Sequence, residues 1–337
     1  MAQNNFCAEI AEKYANFRKI EKAWRDNFIL AKKDKEALRK AYSGMAEVTE
    51  ARKRIPKCSY ERAQEIMGED FFGAEDFKTT FGFDVPVEIP PIRFSPADLK
   101  EAQEHGEMLV LRVGHDNEGN PMTMKRILEI MASRMPEGEM LLVGQKTAGS
   151  PLLQDDCWLK DKKLFTTDSL KTEWVLIGKE FAPYTENHNY FQQTWDLYLN
   201  MKERNLLTLA EEKENADLKN KLKQLSEKIG VNWETGPDDS KKAHENMQEV
   251  AQELGNLPIN QKHRRSMVGI FYDLVVRYKG REGERSPLRY IYDWSNTVHS
   301  GGILNIGYFT EDGADVRNYR PEWGGGRGVV FVRNSPE

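Results

Sequence analysis

Apolar residues at Phe6, Ile10, Tyr14, Phe17, Ile20, Trp24 and Phe28 recur in steps of three or four, which draws one stripe along a long amphipathic helix. A more polar helical pattern over about 45–54 must stop before Pro56, because the residue preceding a proline is pushed out of the helical region. Ser59 is placed to cap a short helix that Gly68 ends. Residues 1–82 therefore read as a helical N-terminal region. Four prolines between Gly82 and Pro96 make 83–96 an extended connector.

Beyond the connector the period changes. Ser95 as cap and Pro96 at the first helical position open a helix that ends at Gly106. The runs EMLVLRVG (107–114), EMLLVG (139–144) and EWVLIGKE (173–180) have the length and branching of buried strands. Between the first two, Thr123 caps a helix with Met124, Ile127, Leu128, Met131 and Met135 on one face. This order suggests a parallel crossover unit. The turn after Val113 holds no GxGxxG or Walker-type loop, which disfavours nucleotide binding.

Helical periodicity returns over 190–204 and 206–229, where Leu218, Leu222, Leu225 and Ile229 form the seam of a short coiled coil or helical hairpin. After a loop at 231–239, helices over about 240–254 and 261–279 complete what reads as a polar helical insertion at about 205–279. The chain then closes with four strand-like pieces, YIYDWSNT, GILNIGYF, ADVRNY and GVVFVRN, separated by SGG, EDG and EWGGGRG, the signature of an antiparallel sheet. The expected class is α+β: helical residues 1–82, the connector, and a mixed domain over 97–337 that carries the insertion.

Composition narrows the function classes. A chain of 337 residues with 39% hydrophobic content builds a sizeable core and excludes wholesale disorder. A formal net charge of −5 argues against a specific nucleic-acid partner. The clusters Arg52, Lys53, Arg54 and Lys262, His263, Arg264, Arg265 read as solvated faces. Cys7, Cys58 and Cys157 form no CxxC, so neither a disulfide framework nor a zinc site is implied and a reducing, cytoplasmic setting is expected. No signal-type segment and no run of 18 apolar residues occurs, so no membrane span is predicted.

Catalytic chemistry has little to rest on. The six histidines lack the i, i+4 spacing about a glutamate that helix-borne metalloproteases use, and HDNEGN at 115–120 is too short for a twelve-residue calcium loop. No cofactor, metal or catalytic residue is assigned. Asp155, Asp156 and His188 are the acid and base residues of the rival reading, an enzyme whose site assembles only in three dimensions. NHNYFQQTW (187–195) is read as opening a helix, with Gln192 and Gln193 reaching backbone groups of adjoining strands.

The terminal segment is different in kind. Eight of the 25 glycines lie between Ser300 and Gly328, no lysine follows Lys279, and Trp, Tyr, Asn, Asp and Arg alternate with short apolar runs. Tyrosine and tryptophan offer large contact area at low side-chain entropy, while lysine is depleted at interface cores, so this is the composition of a paratope.

A strand bearing Trp294, a Gly-Gly turn, GYF, a DG turn, NYRPEW and a last strand from Gly328 to Arg333 resemble the C-terminal half of C-type-lectin-fold proteins. In particular they are similar to variable proteins diversified by retroelements and to formylglycine-generating-type domains. FSPADLKEAQEHGEMLVLRV, EWVLIGKE and NYFQQT resemble segments of bacterial proteins of unassigned function. The terminal resemblance implies a constant scaffold presenting a variable, ligand-binding surface to a protein or other macromolecule. The positions concerned would be Trp294, Asn296, His299, Asn305, Tyr308, Asp312, Asp315, Arg317, Asn318, Tyr319, Arg320, Trp323 and Arg327. The calcium triplet of sugar-binding lectins is missing, so calcium-dependent sugar recognition is not implied. The N-terminal helices and those over 206–229 are the candidate surfaces for self-association, and a helical adaptor working through the Leu218–Ile229 seam is a further alternative.

Overall fold

The computed structural model describes residues 58–134, 142–143, 162–234, 246–280, 292–310, 313–324 and 326–334. The helices expected over 6–28 and 45–54, the Asp155–Cys157 cluster and Asp312 lie outside these residues. The chain divides into two compact units, one holding the described residues 58–68 and 91–101, the other 69–90 and 102–334. The fold is mixed α and β, with two mixed sheets, both in the larger unit.

In the smaller unit the capping signals act as expected. Ser59 accepts a hydrogen bond from the Arg62 amide at the start of α1 (Tyr60–Met67), and Gly68 ends that helix at φ 55°. Ser95 Oγ accepts from the Asp98 amide (3.1 Å) while the Asp98 carboxylate accepts from the Ser95 amide (2.9 Å), a reciprocal box that starts α3 (Pro96–Glu104).

The larger unit opens with elements the polar/apolar pattern did not announce, the short strand β1 (Phe71–Phe72) and helix α2 (Ala74–Phe81). The first sheet has the order β1-β2-β4-β9, with β2 (Glu107–Arg112), β4 (Glu173–Gly178) and β9 (Val332–Asn334). Strands β2 and β4 are antiparallel neighbours, in register from Glu107 opposite Gly178 to Arg112 opposite Glu173. The parallel crossover expected for this stretch is thereby corrected. The strand between them in sequence, β3 (Leu142–Val143), joins the other sheet, where it runs parallel to β7.

The second sheet has the order β3-β7-β6-β5-β8, built on β5 (Tyr292–His299), β6 (Gly302–Thr310), β7 (Gly313–Tyr319) and β8 (Arg327–Gly328). Its middle is the expected antiparallel meander, whereas β3 and β8 are parallel additions at its edges. Ser300 (φ 45°) and Gly301 (φ 78°) turn β5 into β6, two positive φ values in succession, as the type I′ hairpin demands. The run GVVFVRN, expected as one strand, divides: Gly328 pairs in the second sheet and Val332 in the first. Between them the Val330 amide donates to the Asp293 carboxylate (3.0 Å), so a side chain takes the place of a ladder partner.

Helices complete the unit: α4 (Met124–Ala132), α5 (Lys163–Thr167), α6 (Tyr190–Glu203), α7 (Leu209–Glu214), α8 (Leu218–Lys228), α9 (Met247–Gly255), α10 (Pro258–His263) and α11 (Met267–Gly280). The region expected as a polar insertion contains the most buried helix. Every residue of α11 from Met267 to Arg277 is buried, and the helix packs on α2 and on strands of both sheets. Its text, MVGIFYDLVV, is apolar all round, the pattern of a helix enclosed on every side. The 206–229 pattern breaks at the buried Asn215 into α7 and α8. Leu218, Leu222, Leu225 and Ile229 face α6 and α9 within the same chain, which removes this seam as an adaptor or self-association surface.

The cluster read as solvated at 262–265 is likewise corrected. His263, Arg264 and Arg265 are buried where α10 turns into α11. Arg265 lies between two carboxylates, donating to Asp273 (3.0 Å) and Asp293 (2.7 Å), and Asp273 also receives two hydrogen bonds from Arg112 (3.1 and 2.7 Å). Two arginines and two aspartates thus alternate from β2 through α11 to β5. Arg264 places its guanidinium carbon over the Tyr190 ring, 4.1 Å from its centroid.

Candidate ligand-binding face

Strand register assembles the site. Tyr292, Gly307 and Asp315 form one row across β5, β6 and β7; Trp294, Asn305 and Arg317 form the next; Ile303 and Tyr319 form a third. Arg327 on β8 pairs with Tyr292. Because side chains alternate along each strand, these residues share one face of the sheet, and Asp293, Leu304, Ile306, Ala314 and Val316 share the other. The second group is sealed against the interior, with Asp293 in the ion-pair chain to α11.

On the first face, Gly307 contributes no side chain, so the Tyr292 hydroxyl donates across it to the Asp315 carboxylate (2.5 Å). Arg317 Nε donates to the same oxygen at 2.5 Å and its Nη1 to the Tyr319 hydroxyl at 3.2 Å. Burial, together with the Asp315 carboxylate, pushes ionisation of Tyr292 well above the usual phenol range, so the hydroxyl stays a donor. Arg327 stacks on Tyr319 at 3.8 Å and lies 5.7 Å from the Trp294 ring, and Trp323 packs on the far side of this group, 5.6 Å from Tyr319. Aromatic rings and guanidinium planes thus run from the interior to the exposed Trp323.

A second loop locks against this segment. Asn187 donates its amide to the Arg327 carbonyl (3.0 Å) and accepts from the Gly326 amide through Oδ1 (2.7 Å). Its carbonyl lies 2.6 Å from where a Cβ on Gly324 would sit, which explains a glycine there. Gln193 Nε2 lies 3.0 Å from the carbonyls of Thr185, His188 and Arg327, so the expectation that this glutamine reaches neighbouring backbone is met. Gln192 also reaches backbone, at the Glu234 carbonyl (2.9 Å). In this loop Tyr184 and Asn187 both hold φ 66°, and the Tyr184 ring is 86% exposed. A bulky residue held in the left-handed region with its ring in solvent is a conformation that local packing alone does not favour.

The residues singled out from sequence separate into groups. Asp315, Arg317, Tyr319 and Trp323 come together, with Trp294, Asn305 and Arg327 beneath them. Trp294 and Asn305 are fully enclosed and Arg327 is buried, which places these three inside and not on an exposed surface. Asn318 and His299 meet at the β5–β6 hairpin, where Asn318 Nδ2 donates to the His299 carbonyl (2.9 Å). Asn296 instead ties β5 to the α10–α11 junction through the Arg264 carbonyl (3.1 Å). Arg320 is half-buried, and Tyr308 lies on β6 with its side chain outside the described residues.

Tyr292 and the Ala182–Asn189 loop were not anticipated. Tyr292 carried a usable signal, since it stands two residues from Trp294 on the same alternating face; in the loop only Asn187–Asn189, within NHNYFQQTW, carried one, and residues 182–186 carried none. Among the described residues no group of three or more His, Cys, Asp or Glu is set to hold a metal ion, and no helix is long and apolar enough to cross a membrane.

Searches of protein families, of curated proteins and of solved structures give no match for this chain. The functional reading therefore rests on its own residues.

Proposed function

We propose that the chain is a ligand-binding display protein, and that the outer part of the Tyr292–Trp323 face meets a protein or other macromolecule. The observation that carries this reading is the grading of the face. Asn305, Trp294 and Arg327 are enclosed at its base, while Arg317, on backbone fixed by the meander, and Trp323, in the turn after it, stand in solvent. Rigid aromatics and arginines on a held scaffold are what binding hot spots are made of.

The finer reading, a C-type-lectin-like terminal domain of the retroelement-diversified kind, belongs to the same proposal. It is supported by the order of the Trp294 strand, the glycine turns and the closing apolar run. Its test is sequencing of the codons for residues 292–334 across the source population, with those for 107–178 as control. Changes concentrated at Arg317, Arg320 and Trp323, with Val329 and Phe331 constant, are expected; equal variation in both windows would overturn the display reading.

One observation favours an enzyme as the second reading. His188 Nδ1 is 2.6 Å from Asp196 Oδ2, an arrangement that orients an imidazole for proton transfer. Activity profiling of the protein beside a His188→Ala variant decides it, since turnover lost in the variant would favour the enzyme.

A further inference from the structure

Asn305 is completely enclosed, yet neither Oδ1 nor Nδ2 of its carboxamide has a hydrogen-bond partner, and the Nε1–H of the adjacent, equally enclosed Trp294 also lacks one. These two side chains are direct cross-strand neighbours on the candidate face. Native interiors satisfy such groups almost without exception, because an unmet buried donor or acceptor forfeits its hydration for nothing in return. Other enclosed polar atoms of the described residues are unmet too, Asn215 Oδ1 and Arg265 Nε among them, but each of those side chains has another polar partner, whereas here two cross-strand neighbours have three unmet atoms and no side-chain partner between them.

The surroundings show how they can be reached. Arg317 flanks Asn305 on β7 and Arg327 lies between the rings of Trp294 and Tyr319. Beside Asn305 along β6 stands Gly307, which leaves that row without a central side chain. Trp294 otherwise packs edge-on against Tyr190 in the core, 5.4 Å between ring centroids, so the approach is from the Arg317 and Arg327 side, where the long side chains can change rotamer.

We infer that Asn305 and Trp294 form a carboxamide-recognition site at the base of the display face. A carboxamide offers one donor and one acceptor in a plane, so it takes a second amide in a paired, two-point contact, and the Trp294 N–H adds a donor for the bound carbonyl. An ester or a ketone has no donor for Asn305 Oδ1 and a carboxylate has none either. The group bound is therefore a primary carboxamide, the side chain of an Asn or Gln of a polypeptide partner, because a trans peptide unit directs its N–H and C=O to opposite sides and cannot meet both atoms of Asn305 at once. This deepens the display reading by naming the chemistry at its centre, but it stands on different atoms from those that face solvent.

The test uses the full-length, nitrogen-15-labelled protein and follows the Trp294 indole N–H signal by NMR. Three probes are titrated: acetamide for a side-chain amide, N-methylacetamide, whose trans N–H and C=O cannot meet Asn305 together, and N,N-dimethylacetamide, which accepts but cannot donate. A saturable shift of the Trp294 signal with acetamide is expected; equally tight binding of N-methylacetamide would overturn the two-point contact. Dimethylacetamide should bind about tenfold more weakly, the factor that one hydrogen bond supplies. In Asn305→Leu, which keeps the volume of the side chain, the saturable response should vanish while the indole signal remains dispersed, which reports a folded chain.

A steady contact between water and the Trp294 N–H that no probe displaces would assign these atoms to a structural water and overturn the inference. So would a response that survives in Asn305→Leu. If that variant does not fold, Trp294→Phe read through the Asn305 side-chain amide signals serves in its place. Population sequencing addresses the outer residues alone, so failure of the display reading and failure of the amide site are distinguishable.

Discussion

The two faces of the five-stranded sheet treat polar groups in opposite ways. On the inner face Asp293 is enclosed, and burial raises its affinity for a proton, but Arg265 and the Val330 amide meet its oxygens. On the other face, one residue along the same strand, the Trp294 N–H and both ends of the Asn305 amide are enclosed and met by nothing. Both sets lie in one meander. Arg265 Nε on the inner face is enclosed and unmet as well, so an unmet atom is not by itself a sign of function; what separates the two sets is that each carboxylate and guanidinium of the inner chain has a charged partner, whereas the side chains of Asn305 and Trp294 have no hydrogen-bond partner at all.

The inner face is broken most severely at Asp273. Its carboxylate accepts from Arg112 and Arg265 together, so Asp273→Ala takes from the enclosed Arg112 the carboxylate it donates to and leaves Arg265 with Asp293 alone. Removing one partner of a buried pair costs about 3–5 kcal/mol, because the remaining charge stays desolvated. Thermal or denaturant unfolding is expected to show a loss of that size. A loss below about 1 kcal/mol, the value of an exposed pair, would mean that the chain of charges is solvated after all.

A smaller effect is expected where the two loops interlock. Gln193→Ala removes the donor shared by the carbonyls of Thr185, His188 and Arg327, but the His188 and Asn187 amides still meet the first and the last, so a loss of about 0.5–1.5 kcal/mol, that of a single hydrogen bond, is expected. Proteolysis within 182–189 should accelerate in this variant; an unchanged rate would show that the Asn187 contacts hold the loop alone.

Much of this comparison was legible in the sequence at the level of elements and little of it at the level of partners. Ser59, Ser95, Thr123 and the Ser300–Gly301 turn declared themselves because capping and turn geometry are decided by residues within four positions of each other. Sheet membership did not: β3 reads like its neighbours but pairs with a strand about 170 residues later. Arg265 reads as a surface charge because its two aspartates, at 273 and 293, are brought to it by a helix turn and a strand. The display residues were named from composition and resemblance, and alternation alone could not tell that Trp294 and Asn305 lie beneath Arg317 and Trp323.

On the outer face the stability effects should be small and, at Asn305, of opposite sign. Asn305→Leu exchanges an unsatisfied carboxamide for an apolar group of similar shape, so stability should hold or rise by up to about 1 kcal/mol. A loss instead would mean that Asn305 is satisfied in solution and would place it with Asp293 among the structural groups.

The smallest effect belongs to Trp323, which touches Tyr319 but is 44% exposed and contributes no hydrogen bond to the β-meander. Trp323→Ala should change stability within about 0.5 kcal/mol, as surface substitutions do. A ring of that size held at the surface has its value in what it meets outside the chain, since the fold gains so little from it. If the variant instead unfolds several degrees lower, the Tyr319–Trp323 stack is part of the interior's packing, and the boundary between scaffold and display surface moves outward to Arg317 and Arg320.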